Sequence, residues 1–309
     1  MNRPLIVIGL ATFMRPQYLS EALASLVHLK APDGYQLHLV VVDNDENASA
    51  QDTVERFREK IPYDLTYLVE KRRGFPYVKN AAIEEAIKLD ASKIAFFDDD
   101  AEVTPEWLIQ FLKTDSDVVE GVAYFKLPEN QRIAPLIRYY YKEMKVKELN
   151  TGDSRKTATS TNVFFDIKLV KDWGLRFDET FSISGGSDVH FFTQAYKKGA
   201  TIKYTHLANI YEKVPATRAN IPWLLRRWFR LGTSATVRYR LNYSAPVAAV
   251  KILIKALSRI LLGLPVLLLL PVSSISFRAR QIHRFVFGIG LFAGLFGFRY
   301  QEYKKVHGA

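Results

Sequence analysis

Residues 94–100 read Ile94-Ala95-Phe96-Phe97-Asp98-Asp99-Asp100, an apolar run that stops on three consecutive carboxylates. Like charges packed this closely are costly unless a cation or solvent compensates them. A buried strand whose C-terminal end opens into a site has this pattern, and in open α/β sheets that end is where ligands bind. Hard divalent cations take one or two carboxylates together with phosphate oxygens, so one reading is a metal-diphosphate site at a strand tip. A second is a solvated acidic turn before a helix. Thr104-Pro105-Glu106 follows, with Thr104 suited to an N-cap, Pro105 to the first helical position and Glu106 to the helix dipole. A third makes Asp98 a phosphorylated nucleophile, although that motif usually lies near the start of its domain.

Working back towards the N-terminus, the chain alternates. Strand-like runs lie at 5–10, 36–42, 65–69 and 93–97, and helical patterns at 50–60 and 78–89. Pro16 opens a further helix, whose apolar stripe is Leu19, Leu23, Leu26 and Val27. This order predicts a parallel sheet with covering helices. Onward from Asp100 the pattern is less regular. Strands are expected at 117–125, 161–165, 201–204 and 208–211, and helices at 107–113, 136–147 and 189–198. The polar stretch 150–160 is expected to be mobile.

The net charge of +11 conceals an asymmetry. Residues 1–196 hold 24 Lys/Arg and 30 Asp/Glu, whereas residues 197–309 hold 19 Lys/Arg and two acids, Glu212 and Glu302. Such a split points to an anionic membrane or a nucleic acid. The basic residues alternate with long aliphatic stretches and no nucleic-acid motif is present, which excludes nucleic acid as a partner. Ile260–Phe277 runs for 18 residues without a charge and Phe285–Phe298 for 14. The first is at the lower edge of spanning length, and the second reads as re-entrant or interfacial. Trp223, Trp228, Arg226, Arg227 and Arg230 suit a headgroup interface, and the competing reading is a helical subdomain packed on the core. There is no cysteine, hence no disulfide framework. Met1-Asn2-Arg3-Pro4 leads into a strand without signal-peptide character.

In a parallel sheet Asp43, at the end of the second strand, shares an edge with Asp98–Asp100. Gly185-Gly186-Ser187-Asp188 supplies a further acid before a helix. Taken singly, Asp43 also fits a turn and Asp188 an N-cap. As a set, the segments over residues 4–215 resemble an inverting glycosyltransferase of family 2 with the GT-A fold. The segments are Thr12 with Arg15-Pro16, Val40-Val41-Val42-Asp43-Asn44, Gly74 through Lys79-Asn80, Asp98 through Trp107, and Gly186-Ser187-Asp188. Lys79 stands where the family usually has Arg, and Ser187 where it usually has Glu. Glu212 falls where many members place a metal-binding His; His206 is a weaker candidate.

The resemblance implies a Rossmann-like α/β domain over residues 1–215, with a mostly parallel sheet and flanking helices; the charge split and the apolar runs add the expectation of a basic, apolar, helical membrane-associated region over 216–309. The resemblance also implies a Mg²⁺ or Mn²⁺ ion held by Asp98, Asp100 and Glu212, and a nucleotide-sugar donor, a UDP-sugar first, contacted by Thr12, Arg15, Asp43, Lys79, Asp98, Asp99 and Arg218. Asp188 is the implied base. The expected acceptor is a saccharide or lipid-linked saccharide, met at the cytoplasmic face of the inner membrane as in exopolysaccharide assembly. A sugar-phosphate nucleotidyltransferase and a non-catalytic membrane-associated nucleotide-binding protein are the alternatives.

Overall fold

The computed structural model describes residues 3–129, 131–144, 149–182, 184–267 and 273–300. Its first half follows the predicted alternation. Strands β1 (Leu5–Thr12), β2 (Gln36–Asp43), β3 (Asp64–Val69) and β4 (Lys93–Asp98) are separated by helices α1 (Pro16–Val27), α2 (Gln51–Arg58) and α3 (Phe75–Lys88). The four strands pair in parallel in the order β3-β2-β1-β4. Both faces are covered: Leu19, Leu23 and Leu26 of α1 pack with Ile8 and Leu10 on one, and Val78, Ala82 and Ile83 of α3 with Val7 and Phe96 on the other. Burial on both faces explains why β1, β4 and the second half of β2 are continuously apolar rather than alternating.

Register fixes what lies at the C-terminal edge. Thr12 is opposite Asp43, Ala11 opposite Asp98, and Asp43 opposite Val69. The expected shared edge is therefore present.

Beyond Asp100 the sheet becomes mixed. The strands are β5 (Ala101–Val103), β6 (Val118–Lys126), β7 (Asn162–Asp166) and β8 (Ile202–Lys213). The full order is β3-β2-β1-β4-β7-β6-β8-β5, with β7 antiparallel to both neighbours and β5 antiparallel to β8. Short helices α4 (Trp107–Leu112), α5 (Pro135–Tyr139) and α6 (Lys168–Lys171) and the longer α7 (Ser187–Lys197) connect them. Asn162 pins the junction: it accepts from Trp107 Nε1 at 2.8 Å and donates to the Val122 and Ala208 carbonyls at 2.9 and 2.8 Å. A buried amide satisfied on both ends in this way specifies one arrangement of β6, β7 and β8.

Several expectations are corrected. Thr104 does not cap a helix: residues 101–103 pair with β8 and α4 starts only at Trp107, its N-cap position being Glu106 without a side-chain bond. The pair of strands at 201–204 and 208–211 is one strand, with a register shift opposite Gly121/Val122. The helix at 136–147 is α5 followed by a π-helical turn, Tyr140–Met144; residues 145–148 lie outside the described part. The 150–160 segment is pinned rather than loose. Gly152 and Arg155 donate to the carbonyls of Tyr204 and Ile202, and Thr159 donates to Glu120 through both N–H and hydroxyl.

Among the described residues three long helices follow β8: α8 (Ile221–Asn242), α9 (Ala245–Leu267) and α10 (Ile275–Leu295). The apolar run 260–277 is not one helix, because Ser274 caps α10 by accepting from the Phe277 N–H; residues 268–272 lie outside the described part. Among the described residues no helix is long and apolar enough to cross a membrane. The run 285–298 falls mostly in α10, which packs closely on α8: a Cβ on Gly290 would stand 2.1 Å from the Phe229 carbonyl oxygen. Small residues permit this backbone approach. Trp223 and Trp228 are buried against Tyr140 and Tyr141 instead of forming an interfacial belt. Trp223 stacks on Tyr141 with ring centroids 6.3 Å apart.

Candidate active site

The three carboxylates at the end of β4 have three different settings. Asp98 is half-buried, its side chain 31% exposed, and Lys79 Nζ lies 3.9 Å from it. Asp99 is buried and braced from β1, accepting from Thr12 Oγ1 at 2.8 Å and from Arg15 Nη1 at 2.9 Å. Asp100 is buried between two guanidiniums, Arg15 Nη1 at 3.2 Å and Arg218 Nη1 at 3.3 Å. The acidic-turn reading does not survive: an acidic surface turn would be solvated, and two of these groups are not.

Lys79 is among the largest fully buried side chains, sits 4.2 Å from the Phe96 ring centre, and its Nζ has no hydrogen-bond partner among the described residues. Burial among rings lowers the lysine's pKa, opposed by the Asp98 carboxylate. Burial raises that of Asp98, with Lys79 opposing and Asp100, Glu212 and Asp99 adding to the rise. An orphaned ammonium beside a crowded carboxylate is an arrangement that an oxyanion and a cation together would relieve.

Asp43 is fully buried and anchors its own loop. It accepts from the N–H groups of Asp45 and Ala50 at 3.0 and 2.8 Å and from Tyr67 Oη at 2.9 Å. Burial nonetheless raises its pKa. Its neighbour Asn44 performs the same service for the segment before α3: it donates to the carbonyls of Glu70 and Arg72 and accepts from the Gly74 N–H. The Arg73 guanidinium lies 3.3 Å from the Phe13 ring centre, forming a flat polar wall at the same sheet edge. Sequence reading assigned roles to neither Asn44 nor Arg73, although Arg73 precedes the glycine that opens the Lys79 helix.

Glu212 sits opposite Ala101 in the β5–β8 ladder, and Lys213 N–H donates to the Asp100 carbonyl at 2.8 Å. This brings Glu212 beside the acidic run. His206 is exposed and bonded to Thr151, which removes it from consideration. No group of three or more His, Cys, Asp or Glu among the described residues is gathered closely enough to hold a metal by itself. Asp98, Asp100 and Glu212 each offer carboxylate oxygen, the donor type a hard cation takes, while Asp100 is already engaged by Arg15 and Arg218. One or two carboxylates completed by phosphate oxygens is the pattern such ions use.

Asp188 lies in the first turn of α7, half-buried, and its Oδ1 is 2.8 Å from the Val189 nitrogen. The turn before it needs glycine: Gly186 has φ +97°, and a Cβ there would lie 3.0 Å from Arg238 Nη1. Helix α8 holds this turn from behind. Ser234 Oγ and Arg230 Nη1 donate to the Ser184 carbonyl at 2.7 and 3.4 Å. Asp98 and Asp188 line one cavity of about 640 Å³, whose far wall is formed by α8 and α10. A second groove, about 790 Å³, runs beside α3 and β3 and is lined by none of Asp43, Lys79, Asp98, Asp99, Asp100, Asp188 and Glu212.

The chain is similar to known proteins in sequence and in fold. The chain is 29% identical over 238 residues to the succinoglycan biosynthesis protein ExoM of Rhizobium meliloti, covering 74% of this chain and 72% of that protein. In fold it resembles the mannosyltransferase PcManGT of Pyrobaculum calidifontis in complex with GDP-Man and Mn²⁺, with TM-score 0.64 and 18% identity over 96% of this chain and 88% of that one. It also resembles S. aureus TarS 1–349 in complex with UDP-GlcNAc, with TM-score 0.52 and 20% identity over 78% of this chain and 67% of that one. The model of the family described as glycosyl transferase family 2 matches residues 7–174, the part that carries β1 through β7 and the acidic edge. The chain therefore belongs to glycosyl transferase family 2 and is a glycosyltransferase.

Proposed function

We propose that the protein transfers a sugar, with inversion, from a nucleotide-diphosphate donor to a hydroxyl of a saccharide acceptor in exopolysaccharide assembly. One observation carries this: a carboxylate at the donor-side sheet edge, Asp98, and an independently anchored carboxylate, Asp188, line the same cavity. The donor diphosphate lies against Lys79, whose buried Nζ has no hydrogen-bond partner among the described residues. Asp43, Asn44 and Arg73 shape the nucleoside end. Thr12 and Arg15 act through Asp99, holding the acidic run in place.

Asp98, Asp100 and Glu212 would hold Mg²⁺ or Mn²⁺, with Arg15 and Arg218 sharing Asp100. Such an ion, when bound, supplies neutralisation of the charge that builds on the leaving diphosphate. Arg218 adds a fixed positive charge to the same end. Asp188 takes the proton of the acceptor hydroxyl as its oxygen attacks the anomeric carbon. The bond to the donor phosphate oxygen breaks in the same displacement, so the configuration inverts without a covalent enzyme intermediate. The likeness to the succinoglycan biosynthesis protein ExoM and to TarS in complex with UDP-GlcNAc supports a polysaccharide product and a UDP-sugar.

We place this chemistry at the cytoplasmic face of the inner membrane, on a lipid-linked acceptor, with residues 1–215 as transferase domain and 216–309 as membrane-associated region. The support is α9. It buries its small side, Ala248, Ile252 and Ala256, and exposes Val247, Val250, Ile254, Leu257, Leu261 and Leu264, with Ile254 and Leu261 each 63% exposed. Lys251, Lys255 and Arg259 lie along the same helix, and residues 213–300 contain no acid. An apolar face with basic flanks lies in a membrane interface, and each Lys or Arg near an anionic surface adds about 1 kcal/mol.

Calorimetric titration tests the donor reading. UDP is expected to bind at least tenfold more tightly with Mn²⁺ than with EDTA, and Lys79→Gln is expected to weaken it in both. UDP affinity indifferent to both metal and Lys79 would overturn the assignment of this edge to the diphosphate.

A further inference from the structure

Glu120 is a carboxylate in the middle of a sheet. Its strand, β6, is paired on both sides, with Val163 of β7 and Tyr204 of β8 opposite it, and its side chain is only 9% exposed. A charge in that position is costly unless it is compensated. Compensation reaches the two oxygens unequally. Oε1 accepts from both the N–H and the hydroxyl of Thr159, each at 2.9 Å. Oε2 has Arg155 Nη2 at 3.7 Å, which balances the charge but is too long for a hydrogen bond. Oε2 therefore keeps acceptor capacity that no described residue fills. The Tyr204 hydroxyl, from the residue directly across the ladder, is in the same condition: it makes no hydrogen bond among the described residues. Burial, with Glu120 and Tyr124 adding to the effect, pushes its pKa up to about 12, so it keeps its proton. The unbonded polar atoms sealed away among the described residues include neither of these oxygens. Open space reaches both, and both side chains line the cavity that holds Asp98 and Asp188.

A short segment also fixes Glu120 relative to Asp188. Thr157, two residues before the threonine that binds Glu120, donates its hydroxyl to the Val189 carbonyl at 3.0 Å. The sheet carboxylate is thus tied through residues 157–159 to the first turn of α7, where Asp188 sits.

We propose that Glu120 Oε2 and the Tyr204 hydroxyl orient the acceptor, holding hydroxyls of a neutral sugar ring while a neighbouring hydroxyl of the same ring meets Asp188. This rests on Asp188 being the base. The pair supplies what a sugar needs: an ionised carboxylate accepts from ring hydroxyls, the strong kind of hydrogen bond, and a protonated phenol donates to a ring oxygen or accepts in turn. A neutral ring is favoured because a second carboxylate beside Glu120 would meet a like charge. A ring held at two points presents one hydroxyl to the base in the orientation that reacts. Glu120 and Tyr204 then set which hydroxyl is glycosylated, since a site built to bond a hydroxyl rejects the sugar that lacks it. The cavity, about 640 Å³, accommodates such a ring.

The experiment uses the full chain, a donor that it hydrolyses, and p-nitrophenyl β-glucoside, β-galactoside and α-mannoside as acceptor probes. Wild type is expected to glycosylate at least one of them. Glu120→Gln keeps an oxygen for Thr159 and turns the accepting Oε2 into an N–H donor, and is expected to raise KM for that probe about tenfold. Tyr204→Phe removes one hydroxyl and is expected to raise it about fivefold. In both, kcat at saturating probe should stay within about threefold and donor hydrolysis without probe within about twofold, a split that a merely structural role would not give. Unchanged KM in either well-folded variant, or hydrolysis falling in step with transfer, overturns the subsite. A fall in kcat at unchanged KM in Glu120→Gln overturns it too, and makes Glu120 the base. If Glu120→Gln melts early, Tyr204→Phe decides alone, because it keeps the packed ring. Calorimetric titration of the same sugars without donor keeps the two readings apart. If wild type hydrolyses no donor, the donor reading fails, while a probe whose affinity drops in both variants still supports the subsite. A wild type that neither glycosylates nor binds any of the probes overturns it.

Discussion

Asp188→Asn is expected to lower turnover roughly 10²–10⁴-fold, the usual contribution of a positioned general base, while leaving donor affinity within about threefold. The geometry makes this substitution clean. Asparagine keeps an oxygen to face the Val189 nitrogen, 2.8 Å away in the native chain, and it fits the same first turn of α7. The glycine turn and its clamp from Ser234 and Arg230 act on the Ser184 carbonyl, not on the Asp188 side chain, so the loop keeps its path. What asparagine cannot do is accept a proton. The check is single-turnover transfer alongside UDP titration. A variant that keeps more than a tenth of wild-type turnover would move the base elsewhere in the cavity, with Glu120 the next carboxylate lining it.

Asp98→Asn is expected to reduce kcat/KM by about 10²–10³-fold and to flatten the response to Mn²⁺, because loss of an electrostatic group at a developing charge is worth that much. Asp98 is the most accessible of the three acids and the one crowded by Asp100 and Glu212, so removing its charge removes both a ligand and a repulsion. Fold stability should fall less than on loss of Asp100, because the Asp98 carboxylate is 31% exposed and its contact with Lys79 is long, at 3.9 Å. Asp100→Asn is a harsher test of the same edge. It deprives Arg15 and Arg218 of their shared buried carboxylate, and breaking a buried ion pair from one side costs about 3–5 kcal/mol. Thermal melts distinguish the two. Equal loss of stability in both variants would mean that Asp98 is structural and that the metal reading of this edge is wrong.

The βα repeat and the edge it builds were legible because both depend on local pattern. Continuous apolar runs gave β1, β2 and β4, and each ends on the residue that matters, Thr12, Asp43 and Asp98. The division of labour among Asp98, Asp99 and Asp100 was not legible, since it is set by which strand's side chains reach each one. Nor was the ordering of residues 150–160, whose polar composition resembles a free loop until β8 and Glu120 supply partners far along the chain. Trp223, Trp228 and the nearby arginines suit a headgroup interface and a packed helical subdomain alike, because aromatic-basic composition is the same for both. Only the contacts with Tyr140, Tyr141 and the Ser184 loop show that α8 belongs to the wall of the cavity.

If the Lys79–Asp98 edge activates a nucleotide-sugar diphosphate, the full chain with Mn²⁺ should slowly hydrolyse at least one donor in a panel of UDP-, GDP- and dTDP-sugars, a UDP-sugar first, read as nucleotide release. EDTA and Asp98→Asn are each expected to abolish that release. Nucleotide release from no donor with any divalent metal would mean that this edge does not activate a nucleotide-sugar diphosphate.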